Sequence, residues 1–116
     1  MKLTIKQNDY IKVEGFVIMV LRKEKGWSKL QLANKCNVVE RTISRIENGL
    51  NFCKKDNELS VINVFNLSPT EFSFVVDNVC LCIQQKNISV EYALKQMPHQ
   101  VKKEIDYYKK KMQLIL

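Results

Sequence analysis

The sequence predicts an all-α fold, and three observations lead there. Glycine and proline are scarce, at 3 and 2 of 116 residues, which disfavours a β fold punctuated by tight turns. Apolar residues recur every three or four positions along most of the chain. Two segments, Ser28-x-x-Gln31 and Ser68-Pro69-Thr70-Glu71, have the form of a capping box, in which the serine and the residue three places on satisfy each other's backbone N–H groups.

Residues 1–7 are expected to be an arm. Asn8 is placed to cap a first helix running to about Lys25, with Ile11, Gly15, Ile18 and Leu21 at helical spacing and Gly26 as its stop. Within it lie six consecutive apolar residues, Phe16 to Leu21. They are too few to span a bilayer, which needs about 20, and too many for the exposed side of a surface helix. Valine and isoleucine there would also suit a strand over 16–21. The charged run Arg22-Lys23-Glu24-Lys25 that follows favours the helix.

A second helix opens at Ser28, buries Leu32, Ala33 and Cys36, and ends at Asn37, a residue that tolerates the left-handed conformation. A third covers Glu40 to Asn48 before Gly49, with Ile43 and Ile46 as its one buried stripe. A fourth spans roughly 55–65 with Leu59, Ile62 and Phe65 inward. The fifth starts at Ser68 with proline at the first helical position, and Phe72, Val75, Val76, Val79, Cys80 and Ile83 keep helical spacing to about Lys86. Ser89 caps a short helix to Met97. Pro98 opens a last one in which Val101, Ile105, Tyr108, Met112 and Ile115 form a heptad-like seam.

Apolar residues make up 46% of the chain, enough for a real core. The basic start is not followed by a signal-peptide pattern, so a cytoplasmic location without a membrane is expected. The four cysteines (36, 53, 80 and 82) then read as reduced thiols. Cys80-x-Cys82 lacks the spacing of a zinc site, and no metal is expected. With one histidine, His99, and no nucleophile elbow, glycine-rich phosphate loop or paired-carboxylate motif, no catalytic residue and no cofactor are expected.

Net charge is +7, which suits a polyanionic partner. Residues 1–50 carry 10 Lys/Arg against 5 Asp/Glu, residues 51–77 carry 2 against 4, and residues 78–116 carry 7 against 3. The surplus therefore sits at the two ends of the chain.

Residues 22–49 read RKEKGWSKLQLANKCNVVERTISRIENG. With Leu21 before them, they resemble the helix-turn-helix of the lambda-type phage repressor and Cro family, the XRE-like regulators. The matching residues are Leu21 to Gly26, Ser28, Leu32-Ala33, Val38 and the run Thr42 to Gly49. The resemblance extends through the fourth helix to Ser68-Pro69-Thr70-Glu71-Phe72 and so covers about residues 8–77. It implies a five-helix lambda-repressor-like domain over 1–77, followed by a helical C-terminal extension over 78–116 that serves dimerisation or packing.

The resemblance also implies roles. The base-reading positions are Glu40, Arg41, Ser44 and Arg45. Arginine can bind guanine O6 and N7 with two hydrogen bonds, and glutamate can accept from cytosine N4. DNA-backbone candidates are Lys29, Thr42, Asn48, Arg22, Lys54 and Lys55. Arg22 and Glu47 match a structural ion pair between the first and third helices. Val39 departs from the family's Ser or Thr cap, and Glu40 beside it is unfavourable next to phosphates.

The expected partner is double-stranded DNA, bound by a homodimeric repressor, because one short helix reads few base pairs and a dimer doubles the contacts. The alternative is a protein-binding module on the same fold, an antitoxin or a phage-encoded inhibitor of a host defence system. Phe16, Val17, Met19 and Val20 stand where relatives carry charges. They are expected to form an interface with Val101, Ile105, Tyr108 and Met112, from the same chain or from a dimer mate.

Overall fold

The structure, a computed structural model, describes residues 2–50 and 55–115, the side chains of Lys55, Asp56 and Ile115 excepted. The described residues form seven helices: α1 (Gln7–Glu24), α2 (Lys29–Cys36), α3 (Glu40–Glu47), α4 (Lys55–Val64), α5 (Pro69–Gln85), α6 (Val90–Gln96) and α7 (Pro98–Ile115). Among them no single helix is long and apolar enough to cross a membrane.

Local chemistry sets most of these limits. Both capping boxes form: Ser28 Oγ accepts from the Gln31 amide at 3.0 Å, and Ser68 Oγ from the Glu71 amide at 3.1 Å. Ser89 caps α6 by accepting from the Tyr92 amide. Four helices end in the same way, with a left-handed residue and a six-residue hydrogen-bonded closure. Gly26, Asn37, Gly49 and Asn66 hold the left-handed positions, and the amides of Trp27, Val38, Leu50 and Leu67 reach back to Arg22, Ala33, Arg45 and Ile62. Asn66 has no counterpart among the stop signals read from the sequence.

The start of α1 differs from expectation. The helix begins at Gln7 with Lys6 as its cap residue, and Asn8 lies inside the first turn. The arm preceding it fixes this entry. The Thr4 amide donates to Gln84 Oε1 and Gln84 Nε2 donates to the Lys2 carbonyl, while Leu3 and Ile5 pack on the core. The buried stripe of α4 is also shifted. Val61, Ile62 and Phe65 face inward, whereas Leu59 is exposed, because the register is set by what α2 and α5 present to α4.

One core unites all seven helices. It includes Val13, Ile18, Leu32, Ile43, Val61, Val76, Val90 and Ile105. Residue 77 lies in the middle of α5, so the C-terminal extension starts as a continuation of the fifth helix. α7 packs chiefly along α5, with Phe74 edge-on to Tyr108 and the Cys82 sulfur 3.3 Å from the Tyr108 hydroxyl. Both α6 and α7 also touch α1. Phe16, Val17 and Val20 are buried within this chain, Met19 partly so, and Val101, Ile105 and Met112 are buried with them. The cover over the apolar face of α1 thus comes from the same chain.

Candidate nucleic-acid interface

α2 and α3 are joined by Asn37, Val38 and Val39. Ala33 is fully buried where the two helices meet, and its small side chain permits close approach. On α3, Ile43 and Ile46 are buried, while Glu40, Arg41 and Arg45 are exposed and Ser44 is half-buried. The helix therefore rests on the core by one stripe and presents the opposite face to solvent. Val39 supplies no side-chain cap, and its carbonyl accepts from the Thr42 amide.

Two contacts set the pose of α3. The first is a crossing with α1 at Gly15. A methyl group added there would collide with the Ile46 carbonyl oxygen and lie 3.1 Å from that of Glu47. Glycine is required by the approach of the two backbones. The second is the Arg22–Glu47 pair. Arg22 Nε donates to Glu47 Oε2 at 2.7 Å and an Nη to Oε1 at 3.0 Å, while its other Nη donates to the Trp27 carbonyl at 2.9 Å. Glu47's side chain is 3% exposed and that of Arg22 10%. This bidentate, charge-assisted geometry is the strong form of the interaction. The Arg22 guanidinium is turned inward and gives three of its N–H groups to these acceptors.

The other sequence candidates fall as follows. Lys29 and Thr42 are half-buried, and Asn48 is exposed at the end of α3. Lys54 lies outside the described residues, as does the side chain of Lys55 and the whole of Cys53. Cys36 is buried, and burial pushes its thiol up, in keeping with a small hydrophobe. Three apolar side chains at or beside the termini of α2 and α3 are exposed, Leu30, Val39 and Leu50, with no signal for this in the sequence. Only tertiary packing reveals them, because each sits beside a helix terminus where periodicity is uninformative. Trp27 stacks on Phe65 with centroids 5.7 Å apart and carries the Lys35 ammonium over its ring at 4.6 Å, tying the start of α2 to the end of α4.

A partly basic helix, held proud of the core by a partner helix across a tight turn, defines the helix-turn-helix class. The helix-turn-helix family model matches residues 18–51, from the second half of α1 to just past α3. Over this segment the chain is similar to the helix-turn-helix family, a family of DNA-binding regulators, in keeping with the XRE-like resemblance of its sequence. No curated protein and no solved structure matches the chain.

Proposed function

We propose that the protein is a sequence-specific DNA-binding repressor that places α3 in the major groove. The observation that carries this reading is the outward face of α3, with Glu40, Arg41 and Arg45 exposed and Ser44 half-buried beside them, while Gly15 and the Arg22–Glu47 pair fix the helix from behind. Arg41 and Arg45 supply bidentate donors for guanine, and Glu40 accepts from cytosine. Lys29, Thr42 and Asn48 set the register on the phosphates. The protein acts in the cytoplasm as a homodimer on a two-fold operator with half-sites about one turn, ~34 Å, apart. Its dimer contact uses surface other than Val101, Ile105 and Met112, which are buried within one chain.

Footprinting on genomic fragments tests the recognition face. Specific protection should vanish when Arg41 and Arg45 are both changed to alanine, and survival of that protection would show that another surface reads the DNA. Sedimentation of the protein on its selected operator should give two chains per site.

A second reading, a protein-binding module such as an antitoxin or phage-encoded inhibitor, is favoured by one observation. Leu30 on α2 and Val39 and Leu50 at the two ends of α3 are exposed apolar groups, and Glu40 adds a negative charge at the start of α3. The salt dependence of duplex binding separates the two. A DNA reader loses affinity steeply as salt rises, through counterion release, whereas a protein-binding module shows a weak, flat response.

A further inference from the structure

The charges of α7 do not cancel. Glu104 is taken by Lys86, at the end of α5, at 3.0 Å. Asp106 turns toward α1, where it shares a hydrogen bond with Glu24. Lys109, 2.7 Å from Glu24, and Lys102 balance these two acids. Lys103, Lys110 and Lys111 are left over. All three are exposed, and among the described residues none has an ion-pair partner within 4.0 Å.

The unspent lysines share one face. Val101, Ile105 and Met112 turn the inner side of α7 to the core. Lys103, Tyr107, Lys110 and Leu114, spaced four, three and four residues apart, therefore line its outer side, with Lys111 at the edge. Tyr107 is exposed yet held in place. Its ring meets Tyr108 edge-on at 5.0 Å, Tyr108 is itself anchored on Phe74 and Cys82, and the Lys111 ammonium lies 5.9 Å from the Tyr107 ring centre. Lys103 and Lys110 are separated by two turns, about 10 Å along the helix. A DNA duplex carries one charge per about 1.7 Å of its axis, so a face of that length meets several phosphates. Ammonium and tyrosine hydroxyl groups are donors to phosphate oxygens.

We propose that the outer face of α7 is a second contact to duplex DNA, made to the phosphate backbone without regard to sequence and separate from α3. The two faces are built by different elements: α3 packs on α1 and α2, and α7 on α1, α5 and α6. A membrane surface would call for an apolar stripe, and among the described residues this face offers only Tyr107 and Leu114.

The test uses the full chain with Arg41→Ala and Arg45→Ala, which removes the arginines of α3 and leaves α7 as it is. On a duplex of scrambled sequence this double variant should keep salt-sensitive binding, and the amides of Lys103, Tyr107 and Lys110 should shift in NMR titration. Adding Lys103→Gln, Lys110→Gln and Lys111→Gln should weaken binding at low salt about tenfold or more and flatten the slope of log K against log salt by about 2–3. The lysines are exposed, and circular dichroism checks that the fold is kept. An unchanged slope, or no shifts on α7, would overturn the proposal. So would polyglutamate binding as tightly as duplex at equal charge, which would assign the face to an acidic protein. Because the α3 arginines are absent throughout, these outcomes stand whether or not α3 reads an operator.

Discussion

Arg22 and Glu47 are a pair in which each charge exists inside the fold only because of the other. Removing one partner of a buried pair leaves an uncompensated charge and costs about 3–5 kcal/mol, while replacing both by apolar residues is often near neutral. Arg22→Ala should therefore destabilise far more than Arg22→Met combined with Glu47→Leu, as urea unfolding would show. Glu14 is the opposite case, a buried acid with no cation beside it among the described residues. Burial first, then Glu58 across from it and Asp77 beyond, push its carboxyl up to about 8. Tyr10 donates to Asp77 at 2.7 Å in the same corner, where burial raises the tyrosine as well. An acid whose folded pKa is raised contributes its full stability below its unfolded value, near 4.5, and loses it as pH rises through the folded value. Stability should fall between pH 5 and pH 8, and Glu14→Gln should flatten that fall and gain stability at the upper end. Equal losses in protein and variant would discount Glu14 as the cause. The Arg22–Glu47 pair was legible from the resemblance, because its residues sit inside the matched segment. The Glu14–Glu58–Asp77 corner was not, because its members are far apart in sequence and met only when α1, α4 and α5 packed.

Among the helices, the crossing of α1 and α3 matters most to the site. Gly15→Ala forces two backbones apart, an overpacking cost of about 1–3 kcal/mol, and it shifts α3 while leaving its outward face chemically unchanged. Gly26→Ala makes a contrast. It meets no atom within 4 Å but has φ +72°, so its cost is the left-handed penalty alone, about 1–2 kcal/mol. Gly15→Ala should weaken operator binding well below what Gly26→Ala does at matched stability, as gel-shift titration would measure. Helix starts and stops were largely legible, at Ser28, Ser68, Ser89, Gly26, Asn37 and Gly49, because caps are hydrogen bonds among residues a few places apart. The register of α4 was not. Leu59 and Ile62 have the same helical spacing as Ile62 and Phe65, and only the helices packed against α4 choose between the faces.

For the whole molecule, α6 and α7 are part of the core that supports α3. Phe16, Val17 and Val20 are buried together with Val101, Ile105 and Met112. Covering the three α1 side chains contributes about 5–9 kcal/mol gross, at about 1.5–3 each before entropy. A chain cut after Lys86 should expose this face and aggregate, as size-exclusion with light scattering would reveal. A folded, monomeric fragment of residues 1–86 would mean that α6 and α7 are dispensable cover.

The sequence alone determined the all-α class, the limits of most helices, the helix-turn-helix segment and the residues facing outward on α3. These follow from interactions within one helix or between neighbours across a tight turn, where spacing carries the geometry. Tertiary structure decided what covers the run from Phe16 to Leu21, which way Arg22 turns, and why residue 15 must be glycine. An apolar stripe says that a face must be buried. It carries no information about which distant segment buries it, because that choice is made by the packing of surfaces and not by the spacing of residues.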